Sequence, residues 1–114
     1  MIVQPDDIEL LGFFQSEPIE SSPEDGYFRY RSTDSNGVTL DFSCNEVEGS
    51  VQANLMINSL LIANYSQEGA EKLSIKEDKS GRYISCLFEF EGAEAEARIQ
   101  VAPYISVSWY TLIK

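Results

Sequence analysis

The sequence predicts an all-β fold: an antiparallel sandwich or partly open barrel of seven or eight short strands, with a short N-terminal helix. Over most of the chain after residue 26, apolar and polar side chains alternate with a period of two, as in half-buried strands. Turn-forming residues separate these segments at short intervals, which is typical of antiparallel sheets. Only one segment, near the N-terminus, has helical spacing. An α+β fold is the alternative if residues 67–72 form a helix and not a turn.

The helix is predicted over residues 6–15. Asp6 or Asp7 can cap its first turn, because a carboxylate there accepts hydrogen bonds from amides that have no partner within the helix. Gly12 lowers the helix propensity by about 1 kcal/mol relative to alanine, so the helix should be short. The residues expected to share its packed face are Ile8, Leu11 and Phe14 or Gln15.

The strands are predicted over residues 26–113, mostly as hairpins. After a loop that Pro18 and Pro23 keep irregular, the first hairpin pairs two strands across Asn36-Gly37, the strongest short hairpin signal. Further hairpins are predicted across Asn58-Ser59, Lys79-Ser80-Gly81 and Glu91-Gly92, and Pro103 precedes the last strand.

At 114 residues the chain is close to the commonest domain size, so we expect residues 1–114 to form one domain. Its formal net charge is −11. Residues 1–50 hold eleven acidic residues and two arginines, a net of −9, whereas residues 51–114 have a net of −2. A negative field repels nucleic acid and anionic membranes and attracts basic proteins. The asymmetry predicts a docking surface in the first half; the alternative is that acidic loops simply lie early in the chain.

The sequence also indicates a compartment. The most apolar segment, residues 55–65, is too short and too often interrupted by polar residues to span a bilayer. The N-terminus lacks the basic and apolar regions of a signal peptide. We therefore expect a cytoplasmic protein whose two cysteines, Cys44 and Cys86, are reduced.

Residues that carry chemistry are scarce. The chain has no histidine, which removes the commonest general base and the commonest metal ligand. Cys44 and Cys86 lie at inward strand positions and are interpreted as inert, buried thiols. No glycine lies in a phosphate-binding pattern. We expect no enzyme, no metal and no cofactor; a carboxylate pair such as Glu89 and Glu96 is the least supported alternative.

Two aromatic segments could suggest a ligand. The run Tyr27-Phe28-Arg29-Tyr30-Arg31 resembles a base-stacking motif, but we interpret it as a strand whose arginines pair with acids such as Asp41. Nucleic-acid binding is not expected, because phosphate contacts need clustered Lys and Arg. Trp109 is interpreted as a core residue. If it were exposed in a barrel mouth, the protein would instead bind a small ligand or sugar.

What remains is recognition of a protein partner by acidic side chains, with Tyr27 as an aromatic anchor. Opposite charges steer association, and carboxylates can take the positions of substrate phosphates in a basic cleft. The residues predicted to contact the partner are Glu17, Glu20, Glu24, Asp25, Tyr27, Asp34, Asp41, Glu46 and Glu48.

The run EDGYFRYRSTDSNGVTLDFSCNEVEGSVQ, followed by VSWYTLI near the C-terminus, resembles small immunity proteins of bacterial contact-dependent growth inhibition and related polymorphic-toxin systems. The resemblance covers most of residues 24–58 and 104–113. It implies a cytosolic antitoxin without a cofactor that binds the toxin domain of a delivered effector, frequently a nuclease, and blocks its active site. The acidic excess of this chain fits a basic nuclease as the target.

Overall fold

The computed structural model describes residues 2–113, which fold into two antiparallel sheets and one α-helix. The helix, α1, spans Asp7–Phe14. The first sheet has the order β1-β2-β3-β4-β5, with strands Glu20–Ser22, Tyr27–Thr33, Val38–Asn45, Ser50–Ile57 and Leu60–Gln67. The second has the order β6-β7-β8-β9, with strands Ala70–Asp78, Gly81–Phe90, Ala93–Gln100 and Ser106–Ile113. The predicted all-β class is confirmed, and the two sheets form a sandwich and not a closed barrel.

Helix α1 begins at a capping box. Asp6 Oδ1 accepts a hydrogen bond from the Glu9 amide at 2.8 Å, and the Asp6 amide donates to Glu9 Oε1 at 3.2 Å. Gln15 ends the helix in the left-handed conformation. The predicted cap at Asp6 is thus confirmed.

None of the helices within residues 2–113 has the length and apolar character that a membrane span requires.

The predicted packed face of α1 was wrong for Ile8 and Leu11 and right for Phe14. Its buried residues are Leu10, Phe13 and Phe14, whereas Ile8 and Leu11 are exposed. The cap at Asp6 fixes where the helix starts, and the two aromatic rings bury more apolar surface than Ile8 and Leu11 would.

The core lies between the sheets and follows the predicted alternation. In β3, Leu40, Phe42 and Cys44 are buried; in β7, Ile84, Cys86 and Phe88 are buried. Side chains of a strand alternate between its faces, so these residues form the inner faces of the two layers. The rings of Trp109 and Tyr65 stack across the layers with centroids 5.4 Å apart. The interpretation of Trp109 as a packing residue is confirmed.

Residues 2–113 contain nine strands, one more than the upper estimate. The additional strand is β1, in the segment that Pro18 and Pro23 were predicted to keep irregular. Its backbone pairs with β2 on one side only, so it is an edge strand, and edges tolerate flanking prolines. Residues 67–72 form the end of β5, a turn and the start of β6. This excludes the helix on which the α+β alternative depended.

Candidate functional site

An acidic ridge forms one edge of the first sheet. It consists of residues 17–25, which include β1 and a 3₁₀ turn at Pro23–Asp25. Its four carboxylates are exposed: Glu17, Glu20, Glu24 and Asp25. Prolines and charges at a sheet edge prevent pairing with further strands. The ridge is therefore an open, acidic border.

One end of the ridge borders a shallow depression of about 370 Å³. The ridge supplies Glu24 and Asp25, and the turn between β3 and β4 supplies Glu48. Tyr27 forms part of the wall. None of these lining side chains is basic. The depression therefore presents several carboxylate acceptors at one place, which suits an ammonium or guanidinium group.

Local hydrogen bonds hold the two walls of this depression. On the ridge, the Ser22 hydroxyl donates to Asp25 Oδ2 at 2.8 Å. In the β3–β4 turn, the Glu48 amide donates to Asn45 Oδ1 at 3.0 Å, and Asn45 Nδ2 donates to Glu48 Oε1 at 3.1 Å. The carboxylates of Asp25 and Glu48 are thus positioned by their own backbone segments.

Glu46 lies beside the depression and joins its two walls. Its amide donates to the carbonyl oxygen of Gly26 at 2.8 Å. The structure thus brings together five of the nine residues predicted to contact a partner: Glu24, Asp25, Tyr27, Glu46 and Glu48. Glu17 and Glu20 lie farther along the same ridge.

Asp41 lies apart from the ridge carboxylates. Although it is on the outer face of the first sheet, only 8% of it is exposed, because two arginines cover it. Its Oδ1 accepts from Arg31 Nε at 2.6 Å, and its Oδ2 accepts from Arg29 Nη2 at 2.9 Å. Burial alone would raise the pKa of Asp41, but these two arginines outweigh it and lower the pKa. The predicted pairing of the strand arginines with Asp41 is confirmed.

Arg29 also connects this network to the ridge. Its Nη1 donates to Glu20 Oε1 at 2.6 Å, so the charge of Glu20 is partly balanced within the protein. Both arginines are engaged with carboxylates, as expected for a strand with a polar face.

Asp34 lies at the opposite end of the first sheet, in the β2–β3 turn. Its Oδ1 accepts from the amides of Asn36 and Val38, at 2.9 and 3.0 Å. Its Oδ2 accepts from the Ile105 amide at 2.8 Å, which ties this turn to the segment before β9. The hydrogen bond from Ile105 is the main cause of its lowered pKa. Contact of Asp34 or Asp41 with a partner stays a prediction, and the candidate site does not include them.

The two cysteines are buried in the core. Burial raises the pKa of the Cys44 thiol to about 12 and raises that of Cys86 well above its ordinary value. The predicted burial of both thiols is confirmed, and their lack of reactivity stays a prediction. Among the described residues, no group of three or more His, Cys, Asp and Glu side chains could hold a metal ion.

The carboxylate-pair hypothesis gains no support from Glu96. Burial alone would raise its pKa, but hydrogen bonds from Ser85, Tyr110 and Arg98 outweigh this effect and lower it. A catalytic general acid needs the opposite shift. In the sheet register, Glu96 is opposite Leu87, and Glu89 is opposite Glu94.

The ligand-binding alternative depended on an exposed Trp109. Its ring instead stacks on Tyr65 and on Phe88, with the Phe88 centroid 5.6 Å away. Its indole N–H donates to Gln67 Oε1. The ring is therefore occupied by packing and by one internal hydrogen bond.

Sequence patterns did not predict two exposed apolar features. One is the tip of the β4–β5 hairpin, where Leu60, Leu61 and Ile62 are all more than half exposed. A sequence signal exists for it, since residues 49–67 contain no charged side chain. The other is the outward pair of α1, Ile8 and Leu11. Only packing of the neighbouring aromatic residues reveals that pair.

Comparison with known proteins gives one informative result. No protein-family model and no curated protein matches the chain. A solved structure matches it with a TM-score of 0.91 and 29% sequence identity, over 97% of both chains. That structure is a contact-dependent growth inhibition toxin–immunity protein complex from Klebsiella pneumoniae 342. The match confirms the resemblance to this class of system that the sequence suggested.

Proposed function

Starting from that similarity, we propose that the chain is an immunity protein that binds and neutralises the toxin of a contact-dependent growth inhibition system. The observation that carries the proposal is the shared fold over nearly the whole length of both chains. Inhibition by binding needs a stable surface and no catalytic residues. The absence of histidine and the buried thiols agree with such a role.

The target we propose is a basic nuclease domain, inhibited by occlusion of its active site. A nuclease holds substrate phosphates with Lys and Arg, so its cleft attracts anions. The acidic ridge and the depression beside it offer carboxylates to such a cleft, and Tyr27 offers an aromatic anchor. In this proposal the protein acts in the cytoplasm, where the nucleic-acid substrates of the toxin lie.

Co-production with the toxin domain encoded beside this gene tests the role. We expect growth of cells producing the toxin to be restored by the wild-type chain, and the two purified proteins to form a complex. Continued growth arrest, together with no binding to a catalytically inactive toxin domain, would exclude the proposed function.

Charge reversal tests the acidic surface separately. Glu24→Lys places a positive charge on the ridge, and Glu77→Lys makes the same change at an exposed position in β6, in the second sheet. We expect Glu24→Lys to slow association with the toxin about two- to tenfold. This is a fraction of the roughly 10–10³-fold increase in association rate that the electrostatic field of a whole protein can give. It should also weaken the dependence of the association rate on salt. Equal rates for the two variants would exclude the ridge and leave the antitoxin role standing.

A further inference from the structure

A second concavity lies on the other side of the ridge, between α1 and the β1–β2 pair. It is a groove of about 370 Å³. Ser21 lines this groove and Ser22 lines the depression described above, since successive residues of a strand point to opposite faces. The ridge is therefore flanked by a concavity on each side.

The groove is apolar at its base and along one wall. Phe28 and Tyr30, on the inner face of β2, line it, and α1 contributes Ile8 and Leu11. The fraction of each residue exposed is 80% for Ile8 and 40% for Leu11. These two aliphatic side chains line the groove and are not packed in the core. Their exposed apolar surface is therefore available to a partner.

Two carboxylates give this apolar groove a negative rim. Asp7 is in the first turn of α1 and Glu17 lies at the start of the ridge, and both line the groove. Burial is the main cause of the raised pKa of Tyr30, and the charges of Asp7 and Glu17 add to it. The negative charges of Asp7 and Glu17 therefore both act on the Tyr30 ring at the base of the groove. None of the lining side chains is basic.

We infer that this groove receives a segment of the toxin in which an apolar side chain neighbours an arginine or lysine. The apolar side chain packs on Ile8 and Leu11, and the cation lies between Asp7 and Glu17. Long basic side chains suit such a site, because their methylene stems pack on apolar surface while their charged heads stay at the rim. A second copy of this chain fits poorly, since its net charge of −11 opposes the same acidic rim. The inference rests on the proposed function and assigns a second contact region to the same ridge.

Binding of a catalytically inactive toxin domain to three variants tests the groove. Ile8→Ser removes the more exposed of the two aliphatic side chains at little cost in helix propensity, and Glu17→Gln removes one rim charge. Leu60→Ser is the matched control, because Leu60 is 68% exposed and lies in the β4–β5 hairpin, outside the groove. We expect Ile8→Ser to weaken binding roughly tenfold, the loss typical of a central interface contact, mainly through faster dissociation. Glu17→Gln should mainly slow association, and Leu60→Ser should bind like the wild type.

The outcomes separate this inference from the proposed function. If the wild type binds and protects cells while Ile8→Ser and Glu17→Gln behave like Leu60→Ser, the groove is not a contact and the antitoxin role stands. If the wild type does not bind, both are excluded. A photo-crosslinking amino acid at position 8 identifies the occupant. A crosslink to a toxin peptide containing Arg or Lys supports the inference, whereas a crosslink to a second copy of this chain, or none, overturns it.

Discussion

Glu46 is held against Gly26 by a hydrogen bond of 2.8 Å from its amide to the glycine carbonyl. Gly26 has φ of +64°, and a Cβ built on it would lie 2.7 Å from Cβ of Glu46. The close approach brings the 3₁₀ turn of the ridge next to the β3–β4 turn. These two turns form the walls of the acidic depression, so the contact positions the candidate site.

Gly26→Ala is predicted to destabilise the protein more than Gly37→Ala. Both glycines have positive φ, so each substitution carries the backbone cost of about 1–2 kcal/mol for a left-handed residue. Only Gly26 also meets a neighbour, since no atom beyond the two adjacent residues lies within 4 Å of a Cβ at Gly37. We expect the clash with Glu46 to add about 1–3 kcal/mol. Urea unfolding followed by the fluorescence of the single tryptophan, Trp109, measures both variants.

Toxin binding by the same two variants tests whether the Gly26–Glu46 contact shapes the site. Gly26→Ala should weaken binding and Gly37→Ala should not, because Gly37 lies in the β2–β3 turn at the other end of the sheet. In the unfolding experiment, equal free energies of unfolding for Gly26→Ala and Gly37→Ala would contradict the close approach of Gly26 to Glu46.

Asp41→Asn is predicted to lower the free energy of unfolding by about 1–3 kcal/mol at neutral pH. The substitution keeps the shape of the side chain but removes the charge that Arg29 and Arg31 share. The loss should be smaller than the roughly 3–5 kcal/mol of a fully buried ion pair, because the arginine side chains are 32% and 48% exposed. Asp25→Asn is the control, since it makes the same change at an exposed site, where effects are usually within about 0.5 kcal/mol. Chemical denaturation of both variants decides the comparison.

The same aspartate should contribute to acid sensitivity. The pKa of Asp41 is lower in the folded than in the unfolded protein, so the unfolded state binds more protons as the pH falls. The ionised Asp41 contributes fully to the free energy of unfolding above its pKa in the unfolded state, about 4. This contribution is lost as the pH falls through the lower pKa of the folded state. The free energy of unfolding of Asp41→Asn should therefore depend less steeply on pH below about 5 than that of the wild type. The free energy of unfolding of both proteins can be measured by urea titration between pH 3 and 7. Parallel plots of this free energy against pH for the wild type and Asp41→Asn would contradict the prediction.

Period-two patterning predicted most of the fold. The alternation in β3 and β7 predicted the inward-facing core residues, and Asn36-Gly37 predicted the first hairpin, because these signals are local. It did not predict that Asp41 and Ser85, on the opposite faces of these strands, are buried as well. The face of α1 was not predictable in the same way. Ile8 and Leu11 have the spacing of a packed face, but the choice of Leu10, Phe13 and Phe14 depends on Tyr30, on which Phe14 stacks with ring centroids 4.3 Å apart.

The same limit applies to the candidate site. Acidic composition indicated the ridge, since Glu24 and Asp25 are neighbours in sequence. The strand pattern predicted that the arginines pair with Asp41, but it did not show that they leave only 8% of Asp41 exposed. Composition also could not show that Glu48 joins Glu24 and Asp25, because this depends on pairing between strands. The groove beside α1 has no sequence signal, because it exists only where the helix leaves two aliphatic side chains uncovered.

Both cysteines are predicted to be unreactive in the folded protein. A thiol reacts as its thiolate, and burial holds the pKa of Cys44 at about 12 and raises that of Cys86, so at pH 8 almost no thiolate forms. A thiol-specific colorimetric reagent at pH 8 should find no reactive thiol in the native protein and two in guanidinium chloride. Substitution of the exposed Ser35 by cysteine gives the positive control, with one thiol reacting at once in the native state. Rapid reaction of a native cysteine would show that the core between the sheets opens readily, and would contradict the packing that places Cys44 and Cys86 at its centre.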